Sequence, residues 1–155
     1  MRRRELITLL GGAAASWPLA ARTQQRERMR HIGVLMPLDE NDPLAKTALS
    51  AFTQALASLG WTDGRNVRMD VRWQGDDINR IRALAQELVG LQPDVILANS
   101  ATATVALQRE TRTIPIVFTS VLDPVANGIV ERLNQPGGNI TGFAWLGTLG
   151  GGQVA

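Results

Sequence analysis

The chain has 155 residues, 45% of them hydrophobic, which is enough for one domain with its own core and too apolar for a disordered segment. It contains no cysteine, so disulfides, thiolate nucleophiles and cysteine metal sites are excluded. With His31 its one histidine, histidine-based zinc sites and most acid/base triads fall away too. The formal charge of +2 is unevenly placed: residues 1–23 carry Arg2, Arg3, Arg4 and Arg22 against Glu5, leaving 12 basic and 13 acidic residues. The body is near neutral, which supports neither a nucleic-acid footprint nor a basic membrane patch.

The opening stretch has a basic head, an apolar run over residues 6–21 and a small-residue end, the layout of an export signal. Arg3 and Arg4, followed by Glu5, Leu6 and Ile7, fit the twin-arginine pattern, and Gly11, Gly12 and three alanines keep the run only mildly hydrophobic. Residues 1–24 are therefore expected to be a twin-arginine signal peptide cut between Ala21 and Gln25, which places the mature chain in the periplasm. A retained membrane helix is the alternative, but the run is shorter than the roughly 20 apolar residues a span needs and is diluted by Pro18.

In the body, "HIGVLMPL" (31–38) has the composition of a strand buried on both faces. Asp42 before Pro43 reads as the N-cap and first position of a helix. The stripe Leu44, Ala48, Phe52, Ala55, Leu56 and Leu59 is expected to face the core, and Gly60 ends the helix. Residues 66–73 alternate Val67, Met69, Val71 and Trp73 with Arg68, Asp70 and Arg72, the period of an edge strand with one wet face. Asp76 and Asp77 are placed at the start of a second helix, whose stripe is Ile78, Ile81, Leu84, Ala85, Leu88 and Leu91 and which Pro93 stops. "DVILAN" is the third strand, 101–111 the third helix, "IPIVFTS" the fourth strand, 124–133 a fourth helix and "NITGFAW" the fifth strand. Pro136, Gly137, Gly138 and Asn139 form a turn into it. Trp61 and Trp73 read as packing residues and His31 as structural.

Regular alternation of strands and helices with short loops predicts an α/β fold, a doubly wound parallel sheet of about five strands in the order 2-1-3-4-5. In such a sheet ligands bind beyond the carboxyl ends of the strands. Those positions are 36–42 after the first strand, 99–102 after the third, 119–123 after the fourth, and Thr141 and Gly142 after the fifth. Asn99, Ser100 and Thr102, at the opening of a helix, could cradle an anion, or Ser100 could merely cap that helix. Asp123 before Pro124 could hold an ammonium group, could be only a cap, or, least favoured, could be a catalyst. No histidine or second carboxylate is placed to serve as its partner. Asp39, Glu40 and Asp42 read as a solvated loop. No metal site or cofactor is expected.

Taken together, the leader, "RHIGVLMPL", "ALASLGWTDGRNVRMDVRW", "LVGLQPDVILANSATATVALQRETRTIPIVFTSVLDPV" and "RLNQPGGNITGF" resemble bacterial substrate-binding proteins of ABC transporters, in the branch of the tryptophan- and tyrosine-binding proteins. The resemblance runs to Phe143. It implies a type I periplasmic binding protein without catalytic activity, two lobes closing on a small solute that passes to an ABC permease in the inner membrane. On that basis 25–146 would be the N-terminal lobe and 147–155 a glycine-rich tail, with the second lobe missing. The ligand residues would be Met36, Asn99, Ser100, Ala101, Thr102, Ser120 and Asp123. No nucleic-acid partner and no membrane insertion after signal cleavage are expected. The competing readings are a doubly wound hydrolase or transferase using Asp123, and the ligand-sensing lobe of a transcription regulator.

Overall fold

The computed structural model describes residues 28–145; the leader with Arg3 and Arg4, and the tail 147–155, lie outside the described residues. The elements are β1 (Arg30–Met36), α1 (Pro43–Ser58), β2 (Val67–Trp73), α2 (Arg80–Gly90), β3 (Val95–Ala98), α3 (Ala101–Glu110), β4 (Ile116–Leu122) and β5 (Ile140–Trp145). All neighbouring strands are parallel and their order is β2-β1-β3-β4-β5, as the alternation predicted. No helix among the described residues is long and apolar enough to cross a membrane.

Burial divides the sheet into two faces. Leu35, Ile96, Ala98, Ile116, Phe118, Val121 and Ile140 join Leu84, Ala85 and Leu88 of α2 and Ala103, Ala106 and Leu107 of α3 in the main core. On the other face Val34, Met36 and Ala45 form a smaller cluster, with Phe52, Val71, Trp73 and Leu97 packed against it. Gly33 in β1 permits the close approach of α2, since a Cβ there would lie 3.3 Å from Ile96 Cγ1 and 3.4 Å from Leu88 Cδ2.

Helix α1 opens as expected: Asp42 Oδ1 accepts the N–H groups of Leu44 at 2.8 Å and Ala45 at 3.3 Å, and Pro43 needs no partner at the first position. Its phase differs from the predicted stripe. Leu44 is 74% exposed and Leu59 76%, and Ala48 and Ala55 face solvent. The inward row is Ala45, Leu49, Phe52 and Leu56. An alanine-rich helix offers two overlapping apolar rows, and the small Ala45 is the one that fits against Val34 and Met36.

Two further corrections concern helices. Asp76 and Asp77 precede α2 by a turn instead of opening it; Asp77 Oδ1 accepts from Asn79 N at 2.9 Å and its carbonyl from Arg80 N at 3.1 Å, so the helix starts at Arg80. Residues 124–133 form no helix. A single turn, Asn127 N to Asp123 O at 3.1 Å, is broken by Gly128 at φ +66°, and Asn127 Nδ2 takes the carbonyls of Leu122 and Asp123 at 2.7 and 2.9 Å. Ile129 and Val130 still bury themselves in the core.

At the opposite end of β1, His31 Nε2 lies 2.6 Å from Asp70 Oδ2, which also meets Arg68 Nε at 3.0 Å. Burial pushes the Asp70 carboxyl up. The hydrogen bonds from His31 and Arg68, with the charges of both, outweigh that and hold it below the usual carboxylate range. A depressed folded-state value means that this pairing stabilises the fold above the unfolded pKa near 4 and that its contribution is lost as pH falls through the lower folded value. Asp70→Asn is expected to cost about 1 kcal/mol in urea unfolding at pH 7. That difference from wild type should shrink toward zero as pH falls below about 4 and through the lower folded-state value, and a difference that stays constant on acidification would refute the assignment.

Candidate functional site

Because every strand runs in one direction, the loops after β1, β2, β3 and β4 open at one edge of the sheet, and the register fixes which of them meet. Leu35 pairs with Ala98, and Ala98 with Phe118, so the residues next along, Met36 at the end of β1, Asn99 just past β3 and Thr119 within β4, are neighbours. Asn99 is the hub. Its N–H donates to Leu35 O at 3.1 Å, its Nδ2 to Met36 Sδ at 3.5 Å, and its Oδ1 accepts from Thr119 Oγ1 at 3.2 Å. This row ties the end of β1, the exit of β3 and the middle of β4 together. Met36 itself is buried at 2% exposure, beneath the edge rather than on it.

Ser100, in extended conformation, opens α3 and accepts the Ala103 N–H at 3.0 Å, so it caps the helix. Its hydroxyl also lies 3.1 Å from Thr102 Oγ1, and Thr102 is exposed while Ala101 is half-buried. The two hydroxyls thus stand at the positive end of α3, where an acceptor-bearing group is favoured.

The exit of β4 is strained. Ser120, inside β4 and not in the loop after it, has φ +56°, and Asp123, just past the strand, φ +46°, two of the three non-glycine residues with positive φ among the described residues. The β4–β5 register shifts between Phe118 and Val121. Such conformations cost about 1 kcal/mol or more each and concentrate at ligand clamps. The Asp123 carboxylate accepts the Ala126 N–H at 3.0 Å and caps the turn that replaces the predicted helix. Leu122 beside it is 64% exposed. Thr141 and Gly142, expected after the fifth strand, lie inside β5. No cluster of three or more metal-ligating side chains occurs among the described residues.

The sequence reading passed over two residues. Thr119 carries no role in the sequence reading, although its hydroxyl completes the Asn99 row. Gln74 is the first residue after β2. It is 8% exposed, its N–H donates to Met36 O at 2.9 Å, and its Oε1 is a buried oxygen without a hydrogen-bond partner among the described residues. A polar residue directly after an edge strand was the available signal.

A doubly wound sheet with polar residues gathered at its carboxyl edge defines an α/β lobe of the ligand-holding kind. A sequence profile described as ABC transporter substrate binding protein matches residues 31–147, and the chain belongs to that family. The tyrosine-binding protein of Clostridioides difficile (strain R20291) is 32% identical over 116 residues, which is 75% of this chain and 33% of that protein. Among solved structures, the ligand-free, open form of a substrate-binding protein with adhesive properties from Clostridium difficile aligns at 30% identity and TM-score 0.69, covering 75% of this chain and 39% of that one. The ABC domain in complex with L-Trp from Streptococcus pneumonia aligns at 25% identity and TM-score 0.69, covering 75% and 38%. The chain thus spans about a third of the length of the tyrosine-binding relative.

Proposed function

We propose that this chain is the N-terminal lobe, residues 25–146, of the solute-binding component of an ABC importer. It holds one side of a small molecule in an interlobe cleft and passes it to a permease in the inner membrane. The observation that carries this reading is the row Met36–Asn99–Thr119, which joins the end of β1, the exit of β3 and the middle of β4 beside the helix opening at Ser100 and Thr102. In this reading Asn99, Ser100, Ala101 and Thr102 hold the polar end of the solute, Ser120 and Asp123 border it, and Met36 supports Asn99 from below. An aromatic amino acid is the proposed solute, since the relatives include a tyrosine-binding protein and an L-Trp complex. Residues 1–24 are the export signal, the mature chain works in the periplasm without membrane insertion, and residues 147–155 are a glycine-rich tail.

The test is a thermal-shift panel of amino acids against the purified protein, made both as the 155-residue chain and as the longest reading frame that contains it. A solute at a hundredfold excess over Kd adds about 2.7 kcal/mol of stability, a rise of several degrees. The longer protein should respond to at least one aromatic amino acid, and no shift with any member of the panel argues against the reading. Asn99→Leu should weaken that binding roughly tenfold, the worth of one hydrogen bond of about 1.4 kcal/mol.

A further inference from the structure

We propose that the exits of β1 and β2 form a further corner of the ligand site, in which Gln74 Oε1 and Asp39 Oδ2 accept the N–H groups of an ammonium-bearing solute. The inference rests on the solute-binding reading above and adds the chemistry recognised at this corner.

It starts from an unmet requirement. Folded proteins give nearly every buried polar atom a partner, and leaving a buried carbonyl oxygen without one costs about 1–3 kcal/mol. Gln74 is more than nine-tenths buried, and its Oε1 has no partner among the described residues. An apolar side chain of the same size would avoid that cost, so the carboxamide is costly unless a donor reaches it.

Its position favours a solute as the source of that donor. Gln74 follows β2 at the carboxyl edge, and its N–H binds Met36 O at 2.9 Å, which fastens it to the strand whose last side chain supports Asn99. Strand alternation sets Gln74 on the same face of β2 as Arg72, which reaches Glu87 of α2 at 2.8 Å. The next residue, Gly75, has φ +63°, and a Cβ placed there would be 3.7 Å from Asp39 Oδ2. Asp39 is held over this point by its own loop: its Oδ1 accepts from Asn41 N at 2.9 Å and its carbonyl from Asp42 N at 3.1 Å. Its second oxygen faces Gly75. A neutral acceptor on the residue before Gly75 and an anionic one facing Gly75 suit a cationic donor. The hydroxyls at the opening of α3 suit an acceptor, so the two ends of the edge match the two ends of an amino acid.

The experiment is titration calorimetry of wild type, Gln74→Met, Gln74→Glu and Asp39→Asn in the longest reading frame, with L-tyrosine and L-tryptophan and with their deaminated counterparts, the aryl propionates. Gln74→Met and Asp39→Asn should each weaken amino-acid binding about tenfold or more and leave aryl-propionate binding within twofold, because only the amine-bearing solute uses this corner. Gln74→Glu keeps an acceptor and should retain amino-acid affinity, which separates a ligand contact from damage to the fold. Equal losses for both solute classes, or unchanged amino-acid affinity in Gln74→Met, overturn the proposal and leave the solute-binding reading standing. Failure of the wild type to bind any solute overturns both.

Discussion

Gly142→Ala is expected to prevent formation of the native sheet, or to cost at least about 3 kcal/mol in any protein that still folds. The added Cβ would run into the carbonyl oxygen of Phe118 and lie 2.5 Å from Cγ and 2.7 Å from Cδ1 of its ring. None of these atoms can yield. Gly142 is the register partner of Phe118, so the oxygen belongs to the neighbouring strand, and the ring is 3% exposed in the main core. Overpacking a close-packed core costs about 1–3 kcal/mol when side chains can adjust, and a backbone clash places this change at or beyond the upper end. Circular dichroism and urea unfolding would report it. Wild-type stability in Gly142→Ala would mean that β5 does not sit against β4 in this register.

Ile96→Ala is expected to cost about 2–5 kcal/mol, a large share of the 5–15 kcal/mol typical of a domain. Ile96 is fully buried in β3, the central strand, and its Cγ1 lies in the tight approach between Gly33 and α2. Truncation leaves a cavity bounded by the sheet on one side and helices on the other, where backbone elements resist collapse. The loss should appear as a lower urea midpoint with an unchanged slope. Ile96→Val, which removes one methylene, should cost only about 0.5–1.5 kcal/mol. Comparable values for the two variants would show that the site relaxes freely.

The strands were legible because their signals are local. Buried runs such as Val34, Leu35 and Met36, and the alternation from Val67 to Trp73, state their periods within a few residues, and right-handed crossovers then leave little choice of order. Helix phase was less legible. Around Ala45 and Phe52 the choice between two apolar rows is made by the sheet, not by the helix. The absent helix after Asp123 turns on side-chain chemistry: Asn127 competes for the backbone carbonyls and Gly128 takes a left-handed conformation that closes the turn. Within the site, the cap formed by Ser100 follows from its place before a helix. The bond from Thr119 to Asn99 depends on the pairing of β3 with β4, which no pattern along the chain contains. Gln74 escaped notice for a similar reason, since its isolation is a property of its surroundings.

The interior place of β1 has a kinetic corollary. Its two neighbours, β2 and β3, both come later in the chain, and the core it shares with β3 cannot close until Ala98 has been synthesised. Until then Val34, Leu35 and Met36 are an unshielded aliphatic segment. A parallel topology built from such distant pairings folds slowly, and this segment stays open to wrong contacts until both neighbours are in place.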